Sequence, residues 1–109
     1  MMNNVLLVGR LVGNIEEIEK NDIKHYRFVL AVNRNFKNEY GEYETDFIDI
    51  RTFGNIGETT KEYCRKGDLL GIKGRLQTET IETDDIRRKI TYVVAEKITF
   101  LSTAKKEEE

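Results

Sequence analysis

The chain has 109 residues, enough for one domain with one modest core. Charged residues make up 35% of it, yet 18 Lys+Arg against 20 Asp+Glu leave a formal net charge of only -2. That balance excludes a polybasic tail and an acidic disordered chain, but not a local basic face, because net charge says nothing about placement. The absence of Pro excludes a Pro-rich linker. A single Cys64 excludes an intrachain disulfide and a Cys-based zinc site, and a single His25 leaves little for a hydrolase triad or a zinc enzyme. Met1-Met2-Asn3-Asn4 followed by Val5 to Val8 has neither the basic segment nor the apolar length of a signal peptide. No apolar run approaches the roughly 18 residues of a membrane span. The expectation is a soluble, intracellular protein in a reducing compartment, without a membrane partner.

The dominant period is two. Asn3 to Gly13 reads as a strand with Val5, Leu7 and Leu11 on one side and Leu6 and Val8 on the other, so both faces expect cover. Gly9 and Gly13 suggest a bulge or a barrel corner. Polar residues continue to a turn at Asn21-Asp22. Lys24 to Phe36 is a second strand, with Tyr26, Phe28, Leu30 and Val32 on one face and Arg27, Val29, Ala31 and Asn33 on the other. Lys37 to Tyr43 is a hairpin loop, and Glu44 to Phe53 a third strand. The period then changes. Asn55 with Glu58 three residues on resembles a capping box, Ile56, Thr60, Tyr63 and Cys64 share a helical face, and Gly67 suits a left-handed end. Asp68 to Thr78 is a fourth strand, Glu79 to Lys89 a flexible polar hairpin, and Ile90 to Leu101 a fifth strand. Three strands, a short helix and two strands is the order of an all-β, five-stranded OB-fold Greek-key barrel with the helix between strands 3 and 4. The domain is expected over residues 1–103, with a short charged tail at 104–109.

The third strand carries the most chemistry. Ile48, Ile50 and Thr52 form a core face, which leaves Phe47 and Phe53 on the face of Asp49 and Arg51. A face bearing two charges is wet, so the two rings stand exposed as a platform on which unpaired bases can stack, or are covered by a loop or a subunit. Lys73 and Arg75, two apart, project together, as phosphates along a groove require; a solubilising charged face has the same pattern. Arg10 and Arg34 add cations on other strands, Phe36 ends the second strand, and Tyr40 and Tyr43 lie in the loop after it. Asp46 and Asp49 fall on opposite faces, so they offer no paired carboxylates, and His25 reads as a strand-edge surface residue.

With these residues in view, the sequence resembles the bacterial and phage-type single-stranded DNA-binding proteins. The resembling stretches are Asn4 to Leu11, Leu30 to Arg34, Asp46-Phe47-Ile48, Phe53-Gly54 and, most specifically, Tyr63 to Thr78, in order across nearly residues 3 to 101. The resemblance implies an OB fold without catalysis, metal or cofactor. It implies sequence-independent binding and protection of single-stranded DNA in replication, recombination or repair. A homotetramer, or at least a homodimer, and a cytoplasmic, nucleoid-associated location (host cytoplasm if phage-encoded) follow from the same likeness. Phe36, Phe47 and Phe53 match positions at which the family stacks aromatics on bases. Arg10, Arg34, Arg51, Lys73 and Arg75 are consistent with its basic groove. Ile81 stands where a further stacking aromatic is expected, and Asp49 where a basic residue is common. Members that organise replication carry a linker and an acidic tip ending in an aromatic, which recruits other proteins; Glu107-Glu108-Glu109 without a terminal Phe suggests a member lacking that tip. Ile81, Asp49 and the net acidity fit a second reading, an OB-fold protein-interaction module that binds no DNA.

Overall fold

Alternation of apolar and polar residues carries directly into the architecture. In the computed structural model, which describes residues 1–104, the elements run β1 (Val5–Lys20), β2 (Ile23–Lys37), β3 (Tyr43–Phe53), α1 (Gly54–Tyr63), β4 (Leu69–Thr83) and β5 (Ile86–Ser102). Of the tail expected at 104–109, everything past Ala104 lies outside the described residues. The strands close into a barrel in the order β1-β2-β3-β5-β4, with β4 returning to β1. All pairings are antiparallel except a short parallel one, Ile50 with Val93 and Arg51 with Val94, which is the Greek-key step over which α1 crosses. Leu11, Phe28, Leu30, Ile50, Leu70, Ile72 and Val93 fill the interior.

β1 serves two partners. Val5 to Arg10 pair with β4, and Arg10 to Lys20 pair with β2 across a bulge between Val12 and Glu16. Gly13, at φ 70°, occupies that bulge, and its left-handed backbone bends the strand around the barrel. The turn at Asn21-Asp22 has positive φ at both residues, the signature of a tight hairpin.

Leu6 and Val8, 76% and 56% exposed, have no cover within the described chain, because β1 has the barrel interior on only one side. Three local expectations are corrected. Among the described residues no side chain caps α1: the chain leaves Phe53 through Gly54 at φ 63° and enters the helix at once, so Asn55 already lies within the first turn. The face α1 buries is Gly57, Thr60 and Cys64 rather than Ile56 and Tyr63, which stay exposed; a Cβ at residue 57 would run into the Tyr26 ring. The segment Glu79–Lys89 is not a loose loop, since the β4–β5 ladder runs on to Thr83 opposite Ile86 and turns at Asp84-Asp85, both at positive φ.

The end of α1 is tied down as its sequence suggests. Gly67, at φ 92°, donates its N–H to the Leu11 carbonyl at 2.8 Å. The buried Asp68 carboxylate accepts from the Arg65 N–H at 2.8 Å and the Ala104 N–H at 2.9 Å, binding the helix exit to the end of β5.

Candidate nucleic-acid interface

The pairing registers lay the outward side chains of three strands in rows. From one end of the β1–β2–β3 wall to the other these are Arg10–Ala31–Phe47, Val12–Val29–Asp49, Glu16–Arg27–Arg51 and Ile18–His25–Phe53. Phe47 and Phe53 therefore mark the two ends of the wall, ~20 Å apart at the rise of an antiparallel strand. The two residues are 67% and 45% exposed, while Ile50 and Thr52 between them are fully buried. Strand parity placed both rings outward, and no loop of the described chain covers them.

The charged row continues around the barrel as Arg51–Val94–Arg75. Arg51 is its most enclosed charge, with a side chain only 14% exposed. Its guanidinium lies 3.8 Å from the centre of the Tyr92 ring, and its Nη1 and Nη2 sit 3.2 Å from Glu79 and 3.7 Å from Asp49. The Tyr92 hydroxyl accepts a hydrogen bond from Gln77 at 3.0 Å. Arg51 thus holds a cation over an aromatic at the seam between the two halves of the barrel. Arg75 donates to Glu96 at 2.9 Å, and the more exposed Lys73 stands 4.0 Å from the same carboxylate, between Leu6 of β1 and Lys97 of β5. Arg10 donates to the Gly67 carbonyl at 2.9 Å, beside the Phe47 row.

Two predicted residues stand apart. Arg34 points to the other side of the β2–β3 ribbon, where Nε and Nη2 grip Asp46 at 3.0 and 2.8 Å and Nη1 meets Glu44 at 2.8 Å. The hydrogen bond from Arg34 holds the Asp46 carboxyl below the usual carboxylate range. Phe36, 64% exposed, lies past a second bulge, at the root of a hairpin whose Asn38 side-chain oxygen Oδ1 accepts from the Tyr40 and Glu42 N–H groups. The wall thus gathers Phe47, Phe53, Arg51, Arg10 and Arg75, with Lys73 further round, Phe36 at the hairpin, and Arg34 facing away.

Sequence reasoning passed over several groups here. Arg27 stands beside Arg51 in the charged row, its Nε 3.9 Å from Asp49; the register that pairs β2 with β3 is what brings it there. Arg87, Arg88 and Lys89 line the β5 side of the β4–β5 arm, the hairpin that runs out from Thr78 and Thr91, with Arg88 opposite Ile81, Lys89 opposite Thr80, and Arg87 bound to Glu82 at 3.2 Å. Their run of three positive charges was the available signal. His25 is not at an edge, since β2 lies between β1 and β3; it is half-buried, its ring 5.7 Å from that of Phe53.

Among solved structures, the chain superposes on a Plasmodium falciparum SSB in complex with ssDNA with a TM-score of 0.81, at 26% identity, covering 94% of this chain and 96% of that one. It shares its fold with a small single-stranded DNA-binding protein from Streptomyces coelicolor, TM-score 0.70 at 18% identity, covering 92% and 95% of the two chains. In sequence it is 43% identical to single-stranded DNA-binding protein 1 of Clostridium acetobutylicum over 95% of this chain and 97% of the relative. It is 44% identical to single-stranded DNA-binding protein 2 of Staphylococcus aureus over 93% and 73% of the two. With a family model that matches residues 2–101, the chain belongs to the single-strand binding protein family.

Proposed function

We propose that this chain binds single-stranded DNA without sequence preference and takes part through it in replication, recombination or repair at the nucleoid. The observation that carries the reading is the pair of exposed rings, Phe47 and Phe53, at the two ends of one outward wall with arginines between them. Every base has a flat face, so stacking on such rings is blind to sequence, and each stacked base contributes ~1–3 kcal/mol. Phe36 extends the path over the β2–β3 hairpin, and Arg10, Lys73 and Arg75 meet phosphates along it. Arg75 does so by releasing Glu96, and Arg34 and Arg51 join by exchanging their own acidic partners for a phosphate, which makes the contribution of all three smaller than their charge suggests. The reading assigns no catalysis to the chain.

The outward apolar residues of β1 support assembly as a homotetramer, or at least a homodimer. Leu6 and Val8 line a shallow groove with Thr99 and Leu101, well placed for a second copy of the same strand. Sedimentation at micromolar concentration checks this: a monomer overturns it.

Titration of labelled oligo(dT) at two salt concentrations tests the binding reading. Tight binding that weakens steeply with salt and resists competition by duplex is expected. No binding at low salt, or equal preference for duplex, removes it in favour of a protein-interaction module.

A further inference from the structure

We propose that His25 is a further base-contacting residue, forming with Phe53 a two-ring edge at one end of the wall. The inference rests on the single-stranded DNA reading and adds to it a side chain from a different strand.

Register carries the first part of the argument. His25 and Phe53 are direct partners across β2 and β3, so both side chains leave the sheet on the outward face. Their ring centres are 5.7 Å apart and their planes tilt by 40°. That spacing is within the range of paired aromatics, and the tilt leaves part of each ring face open. Ile18, the partner of His25 on β1, is half-buried and completes an apolar row in a wall whose next row, Glu16–Arg27–Arg51, is charged. A base drawn over Phe53 therefore meets His25 and Ile18 along the row and cations on the adjacent one. At the other end of the wall Phe47 has only Ala31 and Arg10 beside it, so no second ring shares its row.

Electrostatics keeps this ring in the form that suits stacking. Burial, then the nearby Arg51 and Arg27, depress the His25 pKa; Lys20 acts in the same direction and Glu79 opposes. The imidazole is neutral at neutral pH, presenting a flat π-face rather than a hydrated cation. Among the described residues, no hydrogen bond to the imidazole fixes the side on which a base approaches. The chain has one His, so one imidazole resonance reports on the site without ambiguity.

The experiment uses the full chain and oligo(dT). The His25 Cε1–H signal is followed by NMR on addition of the oligonucleotide, and affinities are measured for the parent, His25→Ala, His25→Phe and Phe47→Ala/Phe53→Ala. Expected are an upfield ring-current shift of the imidazole signal, about fivefold weaker binding for His25→Ala at unchanged melting temperature, and recovery in His25→Phe. An imidazole signal that stays put while His25→Ala binds as tightly as the parent overturns the proposal. If that happens while the double Phe variant still loses affinity, the stacking wall stands and only His25 leaves it. If the parent itself does not bind oligo(dT), the DNA reading fails first and the inference with it.

Discussion

The barrel body and the β4–β5 arm are built from the same ladder but obey different constraints. In the body, each strand has one dry face: Leu70 and Ile72 on β4 and Val93 and Ala95 on β5 are all nearly inaccessible. A one-residue slip there would turn the core outward, so burial sets register. In the arm, from Thr78 and Thr91 outward, every side chain is exposed or half-exposed on both faces, and its few apolar residues, Ile81, Ile86 and Ile90, each face a polar partner across the ladder. Register there is held by the Asp84-Asp85 turn and by cross-strand pairs such as Glu82–Arg87. The body is specified by what it excludes from water, and the arm by local turn chemistry. The arm is therefore free to hold charge.

The largest expected effect breaks the comparison if it fails. Ile50→Ala should cost about 2–5 kcal/mol in urea unfolding, because it opens a cavity in the closed barrel, whereas Ile86→Ala at the arm tip should cost less than about 0.5 kcal/mol. Similar losses at both sites would mean that the arm is part of the core. Next in size is function: Phe47→Ala/Phe53→Ala should weaken oligo(dT) binding by at least about tenfold, read by fluorescence anisotropy, with the fold intact by circular dichroism. Replacing Arg87, Arg88 and Lys89 together by Gln sharpens the contrast from the other side. If the arm's charges meet phosphates, the slope of log affinity against log salt should shallow by up to about 2, with stability unchanged.

Smaller effects follow from pH and from the turn. The folded state binds fewer protons at His25 than the unfolded chain, because its pKa is depressed. Stability should thus be complete above the ordinary imidazole value of 6.5 and erode as pH falls from there toward the folded value. His25→Phe should flatten that slope in thermal melts. The Asp46–Arg34 pair acts lower on the scale: its contribution is present above the ordinary carboxylate value and is lost as acid carries Asp46 through its lowered folded value, an effect absent in Asp46→Asn. Smallest of all, Asp85→Gly relieves a positive φ at the arm tip and should slow amide exchange in the arm while leaving the barrel's exchange alone.

The sequence by itself determined the order of elements, the dry faces and the outward direction of Phe47 and Phe53, because a period of two is a property of the backbone and needs no partner strand. It also signalled the exit from α1, since Gly67 takes up its left-handed backbone a few residues past the helix. Only the tertiary structure decided which charges remain available. Arg34 and Arg51 read as free cations in the chain, but pairing of β2 with β3 brings Asp46 and Glu44 to the first, and closure of the barrel brings Tyr92 and Glu79 to the second. Register likewise brought Arg27 beside Arg51 and His25 beside Phe53. Neighbours far apart in sequence are chosen by strand pairing, and a side chain's charge and exposure depend on those neighbours more than on its own type.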